Sequence, residues 1–201
     1  MKKKRIIARL DIKGPHLIKS INLEGLKKVG SPEIYAKKYY NQKADELVFI
    51  DTVATLYGRN QLHDIVAETS KEIFIPLTVG GGIRSIDDAE KSFASGADKI
   101  FINSQAVKNP NFINELSKRF GNQSIVVNME VKKIQKNKWE VFITNGRDRT
   151  GLIASDWIKK CEDLGAGEIM ITSIDKEGTG KGADLDLVKN LQNLTTLPII
   201  Y

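Results

Sequence analysis

Residues 44–50 read Ala44-Asp-Glu-Leu-Val-Phe-Ile50, and residues 166–172 repeat the pattern as Ala166-Gly-Glu-Ile-Met-Ile-Thr172, 122 positions later. The shorter segment Ile75-Pro76-Leu77 returns as Leu197-Pro198-Ile199, again 122 positions later. A constant spacing from residue 44 to residue 77 is hard to obtain by chance. It indicates that one supersecondary unit occurs twice in the chain.

A third pair extends the repeat towards the amino terminus. Leu10-Asp11-Ile12-Lys13 matches Met129-Glu130-Val131-Lys132 at a spacing of 119, so a few residues enter the second copy after this point. The second copy ends at Tyr201, one residue before its equivalent of Gly80. We therefore expect a chain that lacks the last strand of its second copy and belongs to a longer protein.

Short apolar runs alternate with helical segments along the whole chain, as in parallel sheets that are covered on both faces. Predicted strands are 5–12, 47–51, 74–79, 99–103, 125–131, 168–173 and 198–201. Predicted helix starts are Ser31-Pro32, the capping box Ser85 to Asp88, Asn109-Pro110 and Asp184, and 132–144 is predicted to be a small hairpin.

This order predicts an α/β fold with right-handed crossovers. Specifically, we predict a (β/α)8 TIM barrel of two half-barrels, about 1–120 and about 121–201, with strand eight missing. The whole chain, 1–201, then forms a single incomplete domain.

Composition narrows the class of protein. The 201 residues are 41% hydrophobic, which is enough for one sizeable core, and the net charge is +6. The single cysteine, Cys161, excludes a disulfide framework. No apolar run approaches the length of a membrane span, and no arginine-rich run carries interleaved aromatics. We expect a cytoplasmic protein with no membrane or nucleic-acid partner, no metal and no cofactor.

The repeat identifies two candidate catalytic carboxylates. Asp11 and Glu130 hold equivalent places at the ends of predicted strands one and five, which face each other across an eightfold barrel. Two such groups can act as general base and general acid on a ligand between them. Each could instead only cap a loop.

Two glycine-rich loops also follow predicted strands. Gly80-Gly81-Gly82 precedes the helix that starts at Ser85, and Asn103-Ser104 ends the next strand. The second copy offers Asp175-Lys-Glu177-Gly178-Thr179-Gly180-Lys181-Gly182 after strand six. Backbone N–H groups in such loops can cradle phosphate, although a tight turn needs the same glycines. Two loops of this kind predict a ligand with a phosphate at each end.

Several motifs resemble the HisF family, the cyclase subunit of imidazole glycerol phosphate synthase. They are Lys4-Arg5-Ile-Ile-Ala-Arg-Leu-Asp11, residues 44–51, Pro76-Leu-Thr-Val-Gly-Gly-Gly-Ile-Arg84, Gly96-Ala-Asp-Lys99, Ser104-Gln-Ala-Val-Lys-Asn-Pro110 and Gly165-Ala-Gly-Glu168. The likeness covers essentially the whole chain. It implies a barrel of two half-barrels and a heterodimer with a HisH-like glutaminase that supplies ammonia. The ammonia reacts with a bisphosphorylated ribulosyl-aminoimidazole carboxamide compound to give imidazole glycerol phosphate, for histidine biosynthesis, and an aminoimidazole ribonucleotide.

The resemblance also implies residue roles. Asp11 becomes the principal catalytic acid/base, and Glu130 stands where the family has a second catalytic aspartate. A charged gate for ammonia corresponds to Arg5, Glu46, Lys99 and Glu168, although four such residues could also form a buried ion-pair network. Asp98 matches a glutaminase-interface residue, Lys19 a lysine on a mobile loop that closes on substrate, and Thr172 a ligand-facing threonine. With Gly81, Gly82, Asn103, Ser104, Glu177, Gly178 and Thr179, these residues complete the predicted substrate and phosphate site.

Three departures from the family pattern cluster near the predicted substrate. Arg9 replaces a common cysteine, Gly14-Pro15-His16 replaces an aspartate-glycine-arginine loop, and Glu130 is one methylene longer than aspartate. They leave open a HisF-like paralogue that amidates a nucleotide-activated acetamido sugar for surface polysaccharide. A non-catalytic phosphate-binding or glutaminase-activating subunit and the related isomerase HisA are further alternatives, and the charged gate argues against HisA.

Overall fold

A computed structural model describes residues 4–54 and 62–201, which form two compact units. The first unit contains the chain up to Lys19 and residues Lys27–Phe101, and the second contains Ser20–Leu26 and Ile102–Tyr201. The units meet in sequence near residue 101, whereas the expected end of the first half-barrel lies near residue 120. The predicted half-barrel boundary near residue 120 stays a prediction, because the two units are defined by their compactness and the half-barrels by the sequence repeat.

The described chain has eleven strands, seven α-helices and one 3-10 helix. The strands are β1 (Ile7–Lys13), β2 (His16–Ile21), β3 (Glu24–Gly30), β4 (Glu46–Asp51), β5 (Leu77–Gly80), β6 (Lys99–Ile102), β7 (Ile125–Gln135), β8 (Lys138–Ile143), β9 (Asp148–Ile153), β10 (Glu168–Ser173) and β11 (Ile199–Ile200). The helices are α1 (Pro32–Asn41), α2 (His63–Ser70), α3 (Ile86–Ala94), α4 (Ser104–Lys108), α5 (Asn111–Phe120), α6 (Ala154–Asp163) and α7 (Leu185–Leu191), with the 3-10 turn at Asn122–Ser124.

Parallel pairing dominates both units, as the sequence predicts. In the first unit β1 pairs with β4, β4 with β5 and β5 with β6, all parallel. In the second unit β7 pairs with β10 and β10 with β11, also parallel. The strands of the first unit pack their apolar side chains, including Leu10, Phe49 and Val79, into one buried cluster. The predicted α/β class is therefore confirmed.

The repeat is visible in the strand registers. Asp11 lies opposite Ile50 in the first unit, and Glu130 lies opposite Thr172 in the second, so the spacings of 119 and 122 are reproduced in three dimensions. The next pairs obey the same rule, because Leu47 faces Leu77 and Ile169 faces Ile199. The two sequence copies therefore build the same local sheet geometry.

Each copy also carries an antiparallel excursion after its first strand. β2 pairs with β1 in the first unit, whereas in the second unit β8 pairs with β7 and β9 pairs with β8. The sequence predicts the β7–β8 hairpin but not β2, β3 or β9. Burial explains the omission, since most of β3 and β9 is exposed or only half-buried and gives no apolar run.

The entry into three strands uses one recurring turn. Lys43, Gly96 and Gly165 have positive φ angles of 67°, 109° and 94°, and each is followed by alanine. The next residue bonds to the neighbouring strand: Asp45 N–H donates to Ile6 O at 2.8 Å, Asp98 N–H to Leu77 O at 2.8 Å, and Gly167 N–H to Ile125 O at 2.9 Å. This turn fixes where each strand begins.

Glycine replaces aspartate in the third turn for a steric reason. A Cβ on Gly167 would lie 2.0 Å from the backbone oxygen of Asn122, so no side chain fits. In the other two turns the aspartate adds a second bond, because the carboxylates of Asp45 and Asp98 accept from the N–H groups of Ile6 and Leu77, both at 2.8 Å.

Helix caps agree with the sequence in most cases. Ser85 and Asp88 form the predicted capping box, and the Asp184 carboxylate accepts from Leu187 N–H at 3.2 Å. α5 begins at Asn111 with Pro110 as its N-cap, one residue later than predicted. Pro110 already has helical angles, φ −57° and ψ −32°, and Asn109, with φ −134° and ψ 87°, has the non-helical backbone of a cap, so the local geometry stays close to the predicted start.

Glu162 of α6 ties this helix to the segment before β11. Its carboxylate accepts from the Thr195 hydroxyl at 2.6 Å and from the Thr196 hydroxyl, and these bonds lower the pKa of Glu162. A carboxyl pKa that is lower in the folded state stabilises the fold above the unfolded value of about 4.3. That stabilisation is lost as the pH falls through the native pKa.

We therefore expect Glu162→Gln to lower the melting temperature at pH 7, and the deficit to shrink as the pH is lowered below about 4. Differential scanning calorimetry between pH 2.5 and pH 7 would measure this. Asp163→Asn, at the exposed neighbouring position, makes the same change in charge. A deficit for Glu162→Gln that is independent of pH would contradict the prediction.

Candidate functional site

Asp11 is a buried carboxylate near the carboxyl end of β1. Its side chain is only 3% exposed, and its Oδ1 accepts from Arg9 Nε at 2.8 Å. Arg9 stands two residues earlier on the same face of the strand, since side chains alternate along a β-strand. The unusual arginine therefore gives the buried carboxylate a charged hydrogen-bond donor, which the sequence alone does not reveal.

The glycine loop after β5 approaches neighbouring backbone closely. A Cβ on Gly80 would lie 2.3 Å from the Phe101 ring, and one on Gly81 would lie 2.3 Å from the backbone oxygen of Asp51. Gly81 and Gly82 also have positive φ angles of 98° and 79°. Close packing thus accounts for Gly80 and Gly81, and phosphate binding by Gly81 and Gly82 stays a prediction.

Three of the four predicted gate residues meet at the amino-terminal ends of the strands in the first unit. The Glu46 carboxylate is 7% exposed and accepts hydrogen bonds from Arg5 Nη1 at 2.5 Å and from Lys99 Nζ at 3.2 Å. One buried acid between two bases is a physically reasonable arrangement, because burial of an unpaired carboxylate is costly. Asp98 is exposed beside Lys99.

Glu168, the fourth predicted gate residue, belongs to the second unit. It is 8% exposed, begins β10 and lies opposite Val126 of β7. Its place in β10 is the same as that of Glu46 in β4, 122 residues earlier. The repeat thus puts a buried glutamate at the start of a strand in both units.

The second unit holds a polar face around Glu130. Glu130 is 7% exposed, and its Oε2 accepts from Gly146 N–H at 2.8 Å. Asn128 stands two residues earlier on the same face, and its Oδ1 accepts from the Thr172 hydroxyl at 3.3 Å. Thr172 itself lies directly opposite Glu130. Two predicted residues, Glu130 and Thr172, are therefore brought together with Asn128, which the sequence analysis missed.

Asn103 and Ser104 contact the end of β8. Asn103 Nδ2 donates to Phe142 O at 3.4 Å, and the Ser104 hydroxyl accepts from Thr144 N–H at 3.1 Å. The Asn103 Oδ1 is buried without a partner among the described residues. These two predicted residues are therefore held by the hairpin excursion that the sequence predicts.

The loop after β10 contacts the tip of the β2–β3 hairpin. Asn22 N–H donates to Glu177 O at 2.8 Å, and a Cβ on Gly178 would lie 2.0 Å from Ser20 O. Leu23 packs with Phe142 and Ile174. Thr179 caps its own turn through a 2.8 Å bond to Lys176 O.

Lys19 is an exposed residue of β2. The expected loop around it is a strand, because its neighbours Leu17 and Ile18 are buried and β2 pairs with β1. Its contact with substrate stays a prediction.

A cavity of about 660 Å³ lies near the same loop, between Lys133, Asp175 and the start of α7. Its lining mixes lysines with three aspartates and includes none of the predicted site residues, so its charge does not favour a phosphate. Burial raises the pKa of the Cys161 thiol, which argues against a nucleophilic cysteine.

No helix among residues 4–54 and 62–201 has the length and apolar character to cross a membrane. Within the same ranges, no three His, Cys, Asp or Glu side chains are grouped so that they could hold a metal ion.

Comparison with known proteins assigns the family. A family model described as "Histidine biosynthesis protein" matches residues 5–201. Imidazole glycerol phosphate synthase subunit HisF of Legionella pneumophila is 55% identical over 196 residues, which cover 98% of this chain and 92% of that protein. The subunits HisF of Alkaliphilus metalliredigens and Streptococcus mutans are 45% and 44% identical, over 98% and 100% of this chain and 78% and 80% of those proteins.

These likenesses run through both units and confirm the resemblance seen in the motifs. Members of this family have the TIM-barrel fold, which agrees with the parallel β/α order of each unit. The chain belongs to the HisF family of histidine biosynthesis proteins.

Proposed function

We propose that this chain is the cyclase-type lyase subunit of imidazole glycerol phosphate synthase, acting in histidine biosynthesis. The observation that carries the proposal is its likeness to proteins named HisF over 98–100% of its length. The same names favour the histidine pathway over the sugar-amidating, non-catalytic and isomerase alternatives. In the cytoplasm, ammonia from a glutaminase partner would react here with a bisphosphorylated ribulosyl-aminoimidazole carboxamide compound.

Asp11 is the principal acid/base group in this proposal. The carboxylate must exchange protons with the reacting nitrogen compound, and the Arg9 Nε donor at 2.8 Å fixes its orientation on β1. Glu130 is the second acid/base group, and the backbone N–H of Gly146 at 2.8 Å orients its Oε2. In each case a donor holds one carboxylate oxygen in a defined position.

The substrate phosphates meet the glycine-rich loops in this proposal. Gly81 and Gly82 have positive φ angles of the kind found in anion-binding backbone loops, and the Ser85 helix follows them. Further contacts to the substrate are assigned to Lys19, Asn103, Ser104, Thr172, Glu177, Gly178 and Thr179.

The glutaminase partner docks, we propose, at the amino-terminal ends of the strands. Phe74 and Ile6 are 80% and 69% exposed there, and exposed aromatic residues often anchor interfaces. Phe74 lies edge-on to Tyr40, with ring centroids 6.5 Å apart, so its ring is already partly ordered. Asp98 and the Arg5–Glu46–Lys99 cluster lie at these strand ends of the first unit, and the family resemblance assigns Glu168 to the gate as well.

Lys99→Ala should uncouple glutamine hydrolysis from cyclase turnover. Loss of the Nζ contact to Glu46 opens the cluster, so ammonia released by the partner escapes instead of reaching the acceptor. We expect the glutamine-dependent rate to fall about tenfold or more, which corresponds to about 1.4 kcal/mol, while the rate with ammonium chloride persists.

Parallel assays with glutamine and with ammonium chloride would measure the ratio of these rates. Lys91→Ala is the matched control, because Lys91 is an exposed lysine that forms an ion pair with Asp87 on the surface of α3. Equal loss with both nitrogen sources would make the cluster structural and would contradict the gate.

Complementation tests the proposed pathway directly. The full-length gene, placed in a histidine auxotroph that lacks its own cyclase subunit, should restore growth without histidine. The Asp11→Asn gene, expressed to the same level, should not. A soluble, folded wild-type protein that fails to restore growth, although a known HisF does so in the same strain, would favour the sugar-amidating alternative instead.

A further inference from the structure

The cavity beside α7 in the second unit has no part in the proposed reaction. It has a volume of about 660 Å³ and lies between the β7–β8 hairpin, which supplies Lys133 and Ile134, and the start of α7, which supplies Leu185 and Asp186. Pockets that hold small molecules have volumes of about 300–1,000 Å³. None of the predicted site residues lines the cavity. It is therefore a candidate site for a ligand other than the substrate.

The wall of the cavity carries charges of both signs. Lys133 and Lys176 supply two positive charges, whereas Asp175, Asp184 and Asp186 supply three negative ones. Two of the aspartates already have structural contacts, since Asp175 Oδ2 accepts from Lys133 N–H at 2.9 Å and Asp184 caps α7. The three aspartates are not grouped so that they could hold a metal ion. Lys133, Lys176 and Asp186 remain to recognise a ligand, and this set suits one that carries both charges.

Lys133 and Asp186 form a loose ion pair in this wall. Lys133 Nζ lies 3.8 Å from Asp186 Oδ2, and both side chains are exposed. Exposed pairs of this kind contribute little to stability, so a ligand can align with the two charges or separate them at small cost. Lys133 Nζ also lies 5.3 Å from the centre of the Trp139 ring, and this cation–π contact keeps the ammonium group in place.

Two apolar side chains accompany the ion pair. Ile134 follows Lys133 and is 38% exposed, and Leu185 precedes Asp186 and is 61% exposed. Both line the same cavity as the charged residues. A ligand that covers exposed apolar surface gains free energy from its removal from water. The cavity thus offers a positive charge, a negative charge and an apolar surface side by side.

We propose that this cavity binds a free α-amino acid with a large apolar side chain. The carboxylate of the ligand lies against Lys133 and Lys176, its ammonium group against Asp186, and its side chain against Ile134 and Leu185. A single carbon atom separates the two charged groups of an α-amino acid, so their spacing matches two protein charges that lie 3.8 Å apart. A phosphate would meet the aspartates and a diamine would meet the lysines, so neither complements the wall.

The site is placed to act on the loop after β10. Lys176 N–H donates to Ser173 O at 3.0 Å, and Lys176 O accepts from the Thr179 hydroxyl at 2.8 Å. Asp175 ties the same loop to β7 through Lys133 N–H. A ligand held by Lys133 and Lys176 therefore stabilises the turn that leads to Thr179. Because Thr179 is assigned to the substrate only in the proposed function, the role of the ligand as an effector rests on that function, whereas its binding does not.

Calorimetric titration of the full chain with L-leucine and with L-phenylalanine tests the binding. The matched control ligand is 6-aminohexanoate, an isomer of leucine with the same two charges separated by five carbon atoms. We expect 6-aminohexanoate, L-leucinamide and N-acetyl-L-leucine each to bind at least about tenfold more weakly than L-leucine, since the first has the wrong charge spacing and the others lack one charge. No binding of either amino acid, or equal affinity for leucine and its isomer, would overturn the proposal.

Substitutions locate the binding. Lys133→Gln and Asp186→Asn should each raise the Kd for L-leucine about tenfold or more, because each removes one of the two charges that the ligand needs. Lys136→Gln is the matched control, since Lys136 is an exposed lysine of the same hairpin that does not line the cavity. Its Kd should stay within twofold of the wild-type value. Affinity that is unchanged by both cavity substitutions would place the ligand elsewhere and would refute the site.

Hydrogen exchange tests the effect on the loop without any need for turnover. A saturating concentration of L-leucine should slow amide exchange at residues 176–179 of the wild type and leave it unchanged in Asp186→Asn. Unchanged exchange in the wild type would refute the effector role. A chain that binds leucine and shows this protection, but makes no imidazole product, would refute the proposed function alone.

Discussion

Asp11→Asn should abolish turnover, with kcat reduced about 10²–10⁴-fold by the loss of one acid/base group. The amide is isosteric with the carboxylate but cannot exchange a proton with the reacting nitrogen compound. The assay uses ammonium chloride and the bisphosphate substrate, so that partner coupling does not enter the result. Substrate affinity, measured by titration, should change much less than kcat.

The matched control for this variant is Glu140→Gln. Glu140 is also a buried carboxylate bound by an arginine, since Arg149 Nη2 donates to it at 2.6 Å, and this contact lowers the pKa of Glu140. Both variants lose a buried ion pair and should melt earlier than the wild type. Only Asp11→Asn should lose turnover. Similar losses of kcat in both variants would mean that Asp11 acts through stability alone.

Gly81→Ala should destabilise the fold by about 2–5 kcal/mol, because the added methyl group meets both an unfavourable backbone angle and a backbone clash. The φ of 98° disfavours any L side chain, and the new Cβ would meet Asp51 O at 2.3 Å and Asp51 N at 2.8 Å. Because those atoms belong to the end of β4, relief requires β4 and β5 to separate. Urea unfolding followed by circular dichroism would measure the loss.

Gly180→Ala separates the two causes of this effect. Gly180 has a positive φ of 69°, but a Cβ there would meet nothing within 4 Å. It should therefore cost only the conformational penalty, about 1–2 kcal/mol. If both substitutions cost the same, the close approach of Gly81 to Asp51 contributes nothing, and the packing argument is wrong.

The sequence predicts the parallel strands well, because the same strand pattern occurs in both copies of the repeat and each copy supports the assignment in the other. β10 matches its predicted range of 168–173, and both β1 and β4 are predicted to within two residues. β5 begins at Leu77 rather than at residue 74, because Pro76 cannot donate a ladder hydrogen bond and Phe74 is 80% exposed. An exposed apolar residue such as Phe74 resembles a strand residue in sequence.

The site is less predictable than the framework. Strand ends could be placed from the sequence, so Asp11 and Glu130 were predicted there, whereas Glu46 and Lys99 were predicted from the family resemblance. The environments of these groups depend on contacts between residues far apart in sequence, such as Gly146 with Glu130 and Phe142 with Asn103. Arg9 was noticed as a departure from the family pattern, and the spacing of 119 maps it onto Asn128. Asn128 itself was missed, because its residue type matches no catalytic motif.

The equal registers of the two units have a consequence for evolution. From Asp11 to Ile50 the chain takes 39 steps, and from Glu130 to Thr172 it takes 42, yet the paired strands align residue for residue. The whole length difference is taken up by the antiparallel excursion and the helix after it, and none of it enters the parallel strands. Duplicated copies can therefore diverge freely in that insert while the frame stays common to both. New substrate preferences in such a lineage could arise by exchange of inserts, because the strand positions of Asp11 and Glu130 stay in register whatever the length of the insert.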